Sequence, residues 1–134
     1  DMRYFMATTR GHHVIMGRKS YEDIGKPLRD RTNIIVSRRQ NYLIEGAFVV
    51  NSLEHALGFA AERGEDEAFI IGGEQLFRLG LSVAHRLYIT WIDINAHGDT
   101  FFPQFNSQQW RETKREDYPP DTENLYSYSF TVLE

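Results

Sequence analysis

Ala68-Phe69-Ile70-Ile71-Gly72-Gly73-Glu74-Gln75-Leu76-Phe77 decides how the rest of the chain is read. Ala68 to Ile71 is a short apolar run, the pattern of a strand buried on both faces. Gly72 and Gly73 follow, where the backbone reaches φ angles that other residues avoid. From Glu74 to Leu81 the apolar residues Leu76, Phe77 and Leu81 have helical spacing. Strand, glycine turn and helix together bring backbone N–H groups and a helix N-terminus to one point, which is a way to hold an anion. A Gly-Gly pair serves equally well in a tight connection with no ligand. The stretch alone leaves both readings open.

Toward the N-terminus the same pattern recurs. His13-Val14-Ile15-Met16 is a buried run, Gly17 breaks it, and Arg18-Lys19-Ser20-Tyr21-Glu22-Asp23-Ile24 starts a helix. Two cations and a hydroxyl beside free N–H groups suit a phosphate, although the spacing is not that of a P-loop. A solvated basic turn is the plainer account. Asn33-Ile34-Ile35-Val36-Ser37 is a third strand, followed by Arg38-Arg39. Cations just past the carboxyl end of a strand lie where open α/β sheets bind ligands; an exposed arginine pair is the alternative.

The remaining elements are structural in pattern. Asp1 to about Thr9 is in helical register and Gly11 closes it. An acid at a helix N-terminus is favourable on dipole grounds alone. Ala47 to Val50 reads as a strand, and Ser52 caps a helix over Leu53–Arg63 that Gly64 ends. His85 to Asp93 is a longer strand with Thr90 inside it, where a satisfied hydroxyl is the ordinary role. Asn95 to Thr100 is turn material, and Phe101-Phe102-Pro103 returns toward a core. Trp110 to Glu116 alternates weakly. From Tyr126 to Leu133 polar and apolar residues alternate, which suits an antiparallel edge or near-edge strand. The prediction is an α/β fold: a mostly parallel central sheet with helices on both faces and antiparallel pairing at the C-terminus, in one domain over residues 1–134.

Composition narrows the function. The chain has 134 residues, 41% of them hydrophobic, and a net charge of −4, so bulk electrostatics recruit no nucleic acid. It has no cysteine, hence no thiolate metal site or disulfide framework. No apolar run has membrane-spanning length. No histidine pair has the spacing of a metal site, and His12 and His13, adjacent in a strand, would face opposite ways. What remains is two or three anion-binding turns and few acids placed for chemistry, a set that suits a ligand with several phosphates, such as a dinucleotide.

The order and spacing of several segments carry a resemblance beyond this. They are Asp1-Met2-Arg3-Tyr4-Phe5, Val14 to Tyr21, Ile24-Gly25-Lys26-Pro27-Leu28, Arg31 to Ser37, Ile70-Ile71-Gly72-Gly73, Leu87-Tyr88-Ile89-Thr90 and Gly98-Asp99-Thr100. Together they closely resemble dihydrofolate reductase of the bacterial chromosomal type, across essentially the whole chain. The resemblance implies NADPH-dependent reduction of dihydrofolate to tetrahydrofolate by hydride transfer, in a cytoplasmic enzyme expected to be a monomer without a metal. It implies that Asp1 is the acid of the pterin pocket, accepting N–H bonds and favouring charge that develops on the ring, with Thr90 as its hydrogen-bonding companion. Met2, Phe5, Ile24, Leu28 and Ile71 would be apolar walls, and Arg31 the clamp on the substrate's glutamate carboxylate.

On the cofactor side the resemblance assigns Gly17, Arg18, Lys19 and Ser20 to one pyrophosphate turn. Gly73, Glu74, Gln75 and Leu76 form the second, beside Ile71 and a cis Gly72–Gly73 peptide. Ser37 and Arg38 would read the 2′-phosphate. Phe77 stands where bacterial members usually carry tyrosine, and Arg38 where serine is often found. Family members also open earlier, with a central strand and a mobile loop, so further chain is expected before Asp1. Two other readings are an NADPH-dependent pyrimidine reductase of riboflavin synthesis, which Asp1 and Arg31 argue against, and an inactive nucleotide-binding fragment.

Overall fold

The computed structural model describes residues 2–92, 105–120 and 128–134, in two compact units, Asp1–Ser82 and Val83–Glu134. Asp1, the expected turn at 95–100 and Phe101-Phe102-Pro103 lie outside the described residues.

The first unit runs α1 (Met2–Thr9), β1 (His13–Gly17), α2 (Arg18–Ile24), β2 (Thr32–Val36), β3 (Phe48–Val50), α3 (Leu53–Glu62), β4 (Phe69–Gly72) and α4 (Glu74–Gly80). Its four strands are all parallel, in the order β3-β2-β1-β4. The apolar run of β1 explains its central place: Val14, Ile15 and Met16 are fully buried. Burying each such side chain contributes about 1.5–3 kcal/mol. Ile15, Ile34 and Val50 of the sheet meet Leu53, Ala56 and Ala60 of α3 and Leu76 of α4 in one core. Ser52 caps α3 as its sequence predicts, its Oγ accepting from the His55 N–H at 3.0 Å.

The chain order fixes where a ligand can approach. From β1 it steps outward to β2 and β3, then returns to the other side of β1 as β4. The direction of winding therefore reverses between β1 and β4. In open parallel sheets that reversal opens a crevice at the carboxyl ends of the strands. Register aligns those ends: Gly17 is level with Val36, and Met16 with Gly72.

The second unit contains β5 (Leu87–Ile92), a 3-10 turn (Ser107–Gln109), β6 (Glu112–Tyr118) and β7 (Tyr128–Leu133). The strands form an antiparallel sheet in the order β5-β7-β6. The antiparallel edge or near-edge strand expected at the C-terminus is β7, which lies between β5 and β6 and so next to an edge. Its alternation is lost, with Phe130, Thr131 and Val132 all buried. Thr131 tolerates this because its hydroxyl is satisfied: it accepts from Trp91 Nε1 at 2.8 Å and donates to the Ile89 carbonyl at 3.2 Å. One outer strand is β6, whose Lys114, Arg115, Glu116 and Asp117 suit an exposed edge.

Candidate active site

The two glycine turns of the first unit meet at the carboxyl edge of the sheet. A Cβ placed on Gly17 would lie 3.9 Å from both the Gly72 carbonyl oxygen and the Gly73 nitrogen. A Cβ on Gly73 would come within 3.3 Å of Ser20 Oγ, the hydroxyl that opens the other turn. Gly72 has φ 130°, and the Gly72–Gly73 peptide is cis. Phe77 turns its ring toward this seam, 3.6 Å from where a Gly72 Cβ would stand. The structure thus brings together Gly17, Ser20, Gly72, Gly73 and Phe77, which the sequence had placed in two separate motifs. Leu76, also expected here, is buried in the core of the unit, with its Cδ1 4.0 Å from a Gly17 Cβ.

Two charged side chains of these turns are paired along their own helices. The Arg18 guanidinium donates to Glu22 Oε1 at 2.9 Å, one turn along its own helix. Glu74 is paired in the same way with Arg78 at 2.7 Å. Lys19 and Gln75 are exposed. Ser37 follows β2 at the same edge and is buried, its Oγ accepting from the Arg39 N–H at 3.2 Å. That bond bends the chain so that Arg38 and Arg39 are both exposed there.

The substrate-side residues are held by α1 and the loop after α2. Arg31 is fixed by three contacts: Nε donates to Thr9 Oγ1 at 3.1 Å, Nη1 to the Arg29 carbonyl at 2.5 Å, and Nη2 to the Met6 carbonyl. Each terminal nitrogen keeps one N–H, the pair a carboxylate can take in a bidentate grip. Thr9 is itself buried and donates to the Phe5 carbonyl at 2.9 Å. Asn33, buried within β2, accepts from the Leu28 N–H and donates to the Leu28 and Arg31 carbonyls. It therefore sets the loop that carries both residues. Sequence reading missed Thr9 and Asn33; a polar residue inside an apolar strand was the available signal for the second.

A cavity of about 530 Å³ opens beside Arg31. Met2, Met6 and Ala7 give it an apolar side, and Arg3, Arg10, Arg29 and Asp30 line it with Arg31. Of the expected walls, Met2 reaches this cavity. Phe5, Leu28 and Ile71 are half-buried elsewhere in the unit, and Ile24 is 41% exposed. Thr90 is exposed on β5 in the other unit, and Asp1 lies outside the described residues.

At the opposite, amino edge of the sheet a second polar cluster corrects the reading of His12 and His13. The two histidines converge on one carboxylate: His12 Nδ1 lies 3.0 Å from Glu65 Oε2, and His13 Nδ1 2.8 Å from Glu65 Oε1. The His13 backbone N–H donates to the same group. Alternation fails because β1 begins only at His13, leaving His12 free of the strand pleat. The Glu65 side chain is 7% exposed. Burial raises its pKa, but bonds from His13, His12 and the Glu67 N–H outweigh that and bring it to about 2. An ionised carboxylate only accepts, so each Nδ1 carries a proton.

A parallel sheet with two touching glycine turns at its switch point defines an α/β protein of the kind that seats anionic ligands on main-chain N–H groups. Comparison with known proteins makes this specific. A family model described as dihydrofolate reductase matches residues 1–134. Dihydrofolate reductase type 3 of Salmonella typhimurium is 44% identical over 133 residues, covering 99% of this chain and 81% of that protein. Dihydrofolate reductase of Bacillus subtilis is 40% identical over 134 residues, covering 100% of this chain and 79% of that protein. The structure of dihydrofolate reductase from Enterococcus faecalis, complexed with NADP(H) and RAB-propyl, superposes with a TM-score of 0.90 at 30% identity. It is matched over 80% of its length by the whole of this chain. The chain belongs to the dihydrofolate reductase family.

Proposed function

We propose that this protein reduces dihydrofolate to tetrahydrofolate with NADPH. The observation that supports the reading best is the contact of the two glycine turns at the switch point between β1 and β4, in a chain of this family. The bare backbone at Gly17 and Gly73, with Ser20 Oγ between them, fits a pyrophosphate. NADPH, when bound, supplies the hydride. The protein's own groups hold and orient. Gly17 to Ser20 and Gly73 to Leu76 would grip the pyrophosphate, with Arg18 and Glu74 contributing main-chain N–H groups. Ile71, Gly72 and the Phe77 ring would border the nicotinamide, and Ser37 with Arg38 would read the 2′-phosphate.

On the other side Arg31 would clamp a tail carboxylate with its two remaining N–H groups. Met2, Phe5, Ile24, Leu28 and Ile71 would wall the ring. Asp1 would accept the ring's N–H bonds and favour the positive charge that develops as the ring takes up a proton.

Two substitutions test these roles. Asp1→Asn is expected to lower turnover about 10²-fold at neutral pH while NADPH affinity stays nearly unchanged. An equal loss of both would remove Asp1 from the substrate side. Arg38→Ala is expected to weaken NADPH by about tenfold or more, the worth of a charge-assisted bond to phosphate, with little effect on NADH. Equal weakening of both cofactors contradicts the assignment.

A further inference from the structure

We infer that His12, Glu65 and Asp66 form a binding site for a first-row divalent metal ion of the Zn²⁺ class, at the amino edge of the parallel sheet and away from the glycine turns. The site is independent of the proposed reduction. Its donors are His12 Nδ1, Glu65 Oε2 and Asp66 Oδ1. The imidazole nitrogen lies 3.0 Å from the glutamate oxygen and 3.9 Å from the aspartate oxygen, and all three atoms fall within 4.8 Å of one another. Zinc holds such donors at about 2.1 Å, which sets tetrahedral neighbours about 3.4 Å apart. The two separations bracket that spacing. One imidazole nitrogen with two carboxylate oxygens suits Zn²⁺, whereas Mg²⁺ and Ca²⁺ favour oxygen alone. Local spacing along the chain carries no sign of this set, because Glu65 lies 53 residues beyond His12.

Two of the donors are held in place by other groups. The Glu65 backbone N–H donates to the Ala60 carbonyl at 3.0 Å. Its Oε1 takes the His13 N–H and lies 2.8 Å from His13 Nδ1. His13 is thus the kind of outer partner that orients a carboxylate ligand. Oε2 takes a long bond from the Glu67 N–H at 3.4 Å and otherwise faces His12. The His12 backbone donates to the Thr9 carbonyl and accepts from the Thr32 N–H, both at 3.0 Å, and its ring stands edge-on to Phe69 with centroids 5.3 Å apart. Asp66 is the mobile donor: its side chain is 89% exposed, yet it stands beside a carboxylate that is 7% exposed. Like charges that close repel, and a cation between them removes the repulsion. On binding, the ion takes the place of the His12 Nδ1 proton. The imidazole then carries its one proton on Nε2 and presents the Nδ1 lone pair. Water completes the shell on the exposed side. The ligands come from the residue before β1 and from the α3–β4 connection, so they meet in the folded chain and the ion stabilises it.

The test is equilibrium dialysis of the expressed protein against Zn²⁺ in the presence of excess Mg²⁺, with bound zinc counted by atomic absorption, alongside urea unfolding with and without Zn²⁺. The expected result is saturable uptake that Mg²⁺ does not displace, and an unfolding midpoint raised by Zn²⁺. Asp66→Asn, at an exposed position, should fold as the parent does and bind Zn²⁺ about tenfold or more weakly. His12→Gln should lose the site, and in both variants the same Zn²⁺ concentration should move the midpoint less. His55→Gln, an exposed histidine on α3, should leave uptake unchanged. No saturable uptake, uptake that Asp66→Asn and His12→Gln retain in full, or uptake lost in His55→Gln overturns the inference. Displacement by Mg²⁺ overturns the class of ion, and a midpoint indifferent to bound Zn²⁺ overturns its place between β1 and the α3–β4 connection.

Discussion

Glu65 shows how one side chain ties two distant parts of the first unit. It sits after α3 yet receives the His13 N–H and both imidazole groups at the start of β1, 52 residues away. Its pKa falls from 4.5 to about 2. In the window between those values the unfolded chain binds a proton that the native one does not, so stability falls as pH falls. The contribution is complete above about pH 4.5 and amounts to about 3 kcal/mol. Urea midpoints measured from pH 6 down to about pH 2 should show this limb in the native protein and a flatter one in Glu65→Gln. That variant should also lose about 1–3 kcal/mol at neutral pH. An unchanged acid limb would remove Glu65 from the account of acid stability. None of this was legible locally, because adjacent histidines carry no sign of a partner so far along the chain. Arg31 was marked only by the resemblance, as a clamp for a carboxylate. Its fixing by Thr9 Oγ1 and the Met6 carbonyl was not legible, since Thr9 read only as the end of the first helix.

At the level of elements, strand, glycine and helix are local patterns, and Met16-Gly17-Arg18 and Ile71-Gly72-Gly73-Glu74 both formed as read. Their contact was not local information. It follows from the strand order, which sequence pattern constrains only through general rules of connection. The burial of the C-terminal strand was misread for the opposite reason. Alternation implied one wet face, but Thr131 is satisfied internally and so can be buried in the middle of the sheet. The glycine turns yield a separable prediction. Gly17 has φ −78°, open to any residue, and a Cβ there meets protein atoms no nearer than 3.9 Å. Gly17→Ala should therefore fold with a stability within about 0.5 kcal/mol of the parent. If the bare backbone serves ligand approach, NADPH affinity should nevertheless drop by about tenfold or more. Unchanged affinity would return the turn to a purely structural role, and a large loss of stability would show that folding requires the glycine.

For the molecule as a whole, composition excluded more than it identified. A net charge of −4 and the absence of cysteine removed bulk nucleic-acid attraction and thiolate chemistry. Among the described residues no helix is long and apolar enough to cross a membrane. The family came from the order of short segments, and relatives of the same family agree with it over nearly the whole chain. The central claim is that this architecture oxidises NADPH at the expense of dihydrofolate. The most direct measurement follows NADPH absorbance with the expressed protein, first alone, then with dihydrofolate, then with an aminopyrimidinone carrying a ribosylamino phosphate. The account predicts saturable NADPH consumption that requires dihydrofolate and is absent with the other two. Consumption only with the ribosylamino phosphate, or none under any condition, would contradict it.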